Sequence, residues 1–182
     1  MNDPAAALSI RDPLAARIAG FLVSIGLQVG VVDCLEHPFL PGVDIQNGTL
    51  MIDQARLFYP GDLLHEAGHL AMLPPSQRAH AVGNMADSNT ADSNMKKDDG
   101  GLEMAAIAWS YAAAIHLAIP PEIVFHEAGY RGAANAILEN FAAGRYIGVP
   151  LLEWANLTAT GKNAQALGVP PYPAMQRWLR EE

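Results

Sequence analysis

Apolar residues recur at helical spacing early in the chain, at Leu14, Ile18, Phe21, Leu22, Ile25 and Val29. This pattern predicts an amphipathic core helix from about Pro13 to Gln28. A loop rich in proline and glycine follows, around residues 37–42. The period then shortens to two in Val43-Asp44-Ile45-Gln46 and Thr49-Leu50-Met51-Ile52-Asp53, with Asn47-Gly48 between them. Two alternating runs around Asn-Gly predict a β-hairpin. A second apolar run, Leu63, Leu64, Leu70, Ala71, Met72 and Leu73, predicts a buried helix over about 61–73. Asp62 is its candidate N-cap, and Pro74-Pro75 stops it.

Residues 76–101 are polar, and Asp87-Ser88-Asn89 nearly repeats as Asp92-Ser93-Asn94. The composition predicts a mobile insertion, a candidate lid. A helix is expected over 102–118, another over Pro121 to Ala128, and a third from about Gly132 to Ala143. Short helical pieces are expected in the tail after Arg145. With no linker and no solenoid-type repeat, the 182 residues form one domain. The fold class expected is α+β, mostly helical, with a small sheet beside the 61–73 helix.

That helix carries the chemistry. Residues 65–69 read His65-Glu66-Ala67-Gly68-His69, an HExxH motif. Positions four apart share a helical face, so His65 and His69 can direct two nitrogens at one metal ion, with Glu66 beside it. Two histidine ligands, an open position and a carboxylate suit a zinc hydrolase. A third histidine six residues after His69 would mark one large class of such enzymes, but that position is Pro75. The third ligand must then come from a later helix. Glu103 is the candidate: it is the only acidic residue in an apolar segment that runs to Glu122. Its alternative role is simple interaction with a helix dipole. A strand just before such a helix commonly flanks the cleft in zinc peptidases and pairs with extended substrate. Position alone assigns that role to 49–53.

Two segments also resemble the ImmA/IrrE-like zinc metallopeptidases. His65-Glu66-Ala67-Gly68-His69 is similar to that family's first signature. Glu103, Ala106 and Trp109, followed by Ala113-Ala114 and Leu117-Ala118-Ile119-Pro120, resemble the second, with departures at Met104, Ala105 and Ile107. The resemblance covers roughly residues 45–125. It implies a compact zincin-like fold and a gluzincin site, with one zinc ion held by His65, His69 and Glu103.

The function expected is zinc-dependent hydrolysis of a peptide bond in a peptide or protein substrate. A zinc-activated water would attack, with Glu66 as general base. Tyr111 and Tyr130 are candidate transition-state stabilisers, with His80 and His126 as further candidates. His126-Glu127-Ala128-Gly129-Tyr130 imitates the first motif but has tyrosine where the second histidine is needed. It reads as coincidence, or at most as cleft wall. The alternative function is a zincin scaffold of weak or no activity that serves as a binding or regulatory module.

Charge and composition narrow the setting. A net charge of -8 without a basic stripe argues against nucleic acid as partner. No membrane partner is expected, and the apolar stretch 18–27 is short for a span. A single cysteine, Cys34, suits a cytoplasmic location and reads as a small buried apolar residue.

Overall fold

The computed structural model describes residues 9–36, 38, 40–83 and 99–181. Its helices are α1 (Pro13–Ser24), α2 (Asp62–Met72), α3 (Pro75–Arg78), α4 (Asp99–His116), α5 (Ala134–Ala142), α6 (Val149–Trp154) and α7 (Gly161–Leu167). Its strands are β1 (Gln28–Val32), β2 (Val43–Gln46) and β3 (Thr49–Asp53). The mostly helical α+β class is therefore observed.

Helix α1 starts where Asp12 caps it, its side chain accepting the Ala15 N–H at 2.7 Å, with Pro13 at the first helical position. It stops earlier than expected. Gly26 adopts φ +98°, which ends the helix, and Gln28–Val32 becomes strand β1. The expected hairpin forms as read: β2 and β3 pair antiparallel, Val43 opposite Ile52 and Gln46 opposite Thr49. Asn47 (φ 49°) and Gly48 (φ 74°) make the turn, the left-handed pair that a two-residue hairpin needs.

Strand order is β1-β3-β2, with β1 parallel to β3. This corrects the role assigned to 49–53. Strand β3 is bonded on both sides and has no free edge for a substrate. The outer edge belongs to β2, where the Ile45 carbonyl accepts the Gly83 N–H at 2.5 Å.

Helix α2 packs on the sheet with one face and on α4 with another. Leu63, Leu64 and Leu70 are fully buried. Each contributes roughly 2 kcal/mol of apolar burial. Where α2 meets α4, Gly68 lies against Ala106. A Cβ at Gly68 would meet the Ala106 carbonyl oxygen at 2.8 Å and the Ala106 Cα at 3.0 Å. Only glycine allows this approach. It brings the start of α4 to the HExxH face.

Other expectations need correction. Asp62 is not the cap of α2; Gly61 occupies that position and Asp62 is the first helical residue. The helix expected over 121–128 shrinks to a single 3-10 turn, Pro121–Ile123. The chain then runs irregularly to Tyr130, where Tyr130, Arg131 and Gly132 all have φ near or above +50°. Cys34 is exposed, not buried. Of the polar insertion, Pro75–Arg78 is helical and Asp99–Gly101 belong to α4. The mobile insertion is expected over 76–101, and its residues 84–98 lie outside the described residues. Among the described residues, no helix is long and apolar enough to cross a membrane.

Candidate metal centre

Helix α2 presents His65 and His69 on one face, one turn apart, with their Nε2 atoms 3.2 Å from each other. Two lone pairs facing at that distance repel unless a proton or a cation lies between them. From the start of α4, Glu103 reaches both rings. Its Oε1 is 3.6 Å from His65 Nε2 and its Oε2 is 3.2 Å from His69 Nε2. An ion bound tetrahedrally at about 2.0–2.1 Å holds its ligand atoms roughly 3.3 Å apart. The three observed separations bracket that value.

Glu66 is the next residue on α2 and is 8% exposed. The ligand-type atoms of His65, Glu66 and His69 lie within 4.8 Å of one another, so this buried group could hold a metal ion. Burial lifts the Glu66 carboxyl to about 7, and the nearby carboxylates of Glu103, Asp62 and Asp44 add to the lift against the opposing pull of His69. Burial and the neighbouring His69 push His65 down to about 4, which keeps its ring neutral and able to ligate. For His69, burial disfavours the charged form. Its contact with Glu103 and the charge of Glu66 outweigh this and hold it above its ordinary value. Burial likewise opposes ionisation of Glu103, yet the hydrogen bond with His69 and the charge of His65 hold its carboxyl below the usual range. A neutral His65, an anionic Glu103 and His69 between them are donor types that a divalent cation accepts, in exchange for the proton that Glu103 favours on His69.

Two residues of the second half-motif, His126 and Tyr130, lie against α2. His126 Nε2 lies 2.9 Å from Asp62 Oδ1, and Tyr59 stacks on the His126 ring at 3.8 Å. The Tyr130 ring packs edge-on to His65, with centroids 5.2 Å apart. Burial, reinforced by the charges of Asp62, Glu103 and Glu66, raises the Tyr130 hydroxyl far above its ordinary value, so it stays an O–H donor. Spacing could not have revealed the Asp62–His126 contact, because it joins distant parts of the chain. The imitation of the first motif at 126–130 was the available signal.

The remaining candidates lie elsewhere. Tyr111 faces an aromatic cluster, 4.5 Å from the Phe141 ring and 6.4 Å from those of Phe125 and Tyr172. This corrects its candidacy: its ring is placed among core aromatics, not against the donor atoms. His80 is exposed in the loop after α3. His116 is exposed too, against the Phe21 and Trp178 rings. Compared with known proteins, the chain matches no protein-family model, no curated protein and no solved structure.

Proposed function

We propose that the chain is a zinc-dependent peptidase of the ImmA/IrrE-like kind, with His65, His69 and Glu103 as ligands and Glu66 as general base. One observation carries this reading: three side chains from two helices converge, with the two imidazole Nε2 atoms 3.2 Å apart and one Glu103 oxygen facing each of them, at 3.6 and 3.2 Å. Glu103 is preferred to Glu66 as the third ligand because each of its oxygens faces a different imidazole nitrogen, at 3.6 and 3.2 Å, whereas the Glu66 group is held only within 4.8 Å. Two nitrogens and a carboxylate favour zinc among divalent ions.

When bound, such an ion would supply Lewis-acid polarisation of a carbonyl and of water. The chain's own residues supply the proton handling. Glu66, with its carboxyl near 7, can take a proton from water at neutral pH and return it to the departing amine. Tyr130, kept protonated and packed edge-on to His65, is the candidate donor to a developing oxyanion. His65 and Glu66 are buried, which strengthens their interactions, while Glu103 stays open to solvent on one side.

The same burial favours a second reading, in which the scaffold holds metal but serves recognition. Glu66, at 8% exposure, is barely reachable in this conformation. Incubating the zinc-loaded protein with a degenerate peptide library and reading products by mass spectrometry separates the two. The peptidase reading expects products from wild type and none from Glu66→Gln, with zinc retained in both. No products from zinc-loaded wild type would favour the recognition reading.

A further inference from the structure

Four buried side-chain atoms around the centre have no hydrogen-bond partner: Asp62 Oδ2, His65 Nδ1, His126 Nδ1 and Tyr130 OH. Buried polar groups left unpaired cost about 1–3 kcal/mol each, so four in one place call for an explanation.

Their chemistry sorts them. His65 Nε2 faces His69 and Glu103. If that nitrogen is to ligate, its lone pair must be free there, and the ring proton sits on Nδ1. His65 Nδ1 is then a donor. Asp62 Oδ2 is a carboxylate oxygen and accepts. His126 Nε2 donates to Asp62 Oδ1, which leaves a lone pair on His126 Nδ1, an acceptor in the neutral ring. The Tyr130 hydroxyl donates. The set comprises two donors and two acceptors.

Asp62 and His65 are three residues apart on α2, hence on one face. Helical side chains lean toward the N-terminus, which tilts His65 back over the turn that Asp62 occupies. We propose that Asp62 is the outer carboxylate of the metal centre: Oδ1 is held by His126, and Oδ2 receives the Nδ1–H of His65 through one bridging water. Asp62 is thus a positioning residue. It fixes the tautomer and ring angle of His65 and makes its Nε2 a better ligand, the part that second-layer carboxylates play behind metal-bound histidines. His126 and the stacked Tyr59 anchor the carboxylate from the other side. This inference rests on the metal-centre reading above but does not require turnover.

The test is zinc affinity of the full chain, measured by competition with a chromophoric chelator, for wild type, Asp62→Asn and Asp62→Ala. Asp62→Ala should bind zinc roughly 10–100-fold more weakly. Asp62→Asn, which keeps one acceptor oxygen, should fall between. In nitrogen-edited NMR of the zinc-loaded wild type, the His65 Nδ1 proton should be present and protected from exchange. Zinc affinity within twofold of wild type in Asp62→Ala would overturn the proposal. So would a His65 Nδ1 that carries no proton or exchanges freely, a result that decides even if the variants fail to fold. Wild type that takes up no zinc overturns the metal-centre reading and this inference with it. Zinc-loaded wild type that cleaves nothing, with the graded loss across the Asp62 series intact, contradicts only the peptidase reading and supports this one.

Discussion

Glu103 Oε2 lies 3.2 Å from His69 Nε2, although one residue lies a turn into α4 and the other sits in the last turn of α2. The contact depends on how closely the two helices approach, and Gly68 sets that approach.

Gly68→Ala should therefore damage both fold and site. The added methyl would lie 2.8 Å from the Ala106 carbonyl oxygen, which is backbone and cannot swing aside. Overpacking of this kind costs about 1–3 kcal/mol, partly offset by the better helix propensity of alanine. A thermal melt of the metal-free variant should show a clear drop, and zinc affinity should fall because Glu103 moves away from the histidines. A melt and zinc affinity equal to wild type would mean that the seam is looser than described.

Glu66 makes the stability of the metal-free protein depend on pH in a defined direction. Its folded value near 7 exceeds its ordinary 4.5, so the folded state holds the proton more tightly. Stability from this group is intact below about 4.5 and is lost as pH rises through about 7. His65 acts in the opposite direction between about 4 and its ordinary 6.5, but it is present in wild type and Glu66→Gln alike. The difference between those two proteins should thus be near zero in acid. It should grow to roughly 3 kcal/mol in favour of Glu66→Gln above neutrality. Denaturant unfolding at several pH values reads this difference. A gap that does not change with pH would show that Glu66 is not buried as described.

Tyr130 and Tyr111 should separate cleanly. Tyr130→Phe should lower kcat by about 100-fold while zinc content stays unchanged, the usual effect of losing one oxyanion donor. Tyr111→Phe, whose ring packs on Phe141, should leave kcat within a few-fold of wild type. Equal losses in both would move the stabilising role away from 126–132.

Much of the frame was legible because local signals agreed with tertiary ones. The Asn47-Gly48 turn fixed the hairpin, and the apolar residues around His65 and His69 placed α2 within a residue of its observed ends. Strand β1 carries no alternating pattern of its own: Gln28 and Val29 continue the helical spacing of α1, and Gly26 alone marks the break. The edge of the sheet was misplaced for a different reason. Strand order follows from the parallel β1–β3 pairing, which no local pattern encodes. At the site, spacing along α2 gave three residues. Glu103 needed the argument that a lone carboxylate in an apolar segment requires a partner. Asp62 was visible only as a helix-start residue, and its contact with His126 exists only once the chain folds.

The central claim is a metal centre built from two helices. Its most direct test is metal content by elemental analysis of wild type, His65→Ala and Glu103→Ala, each purified with zinc supplied. The account predicts about one zinc per wild-type chain, and zinc lost or much weakened in both variants. Zinc retained by Glu103→Ala at the wild-type level would contradict the three-ligand site, and absence of zinc from wild type would contradict the metal centre itself.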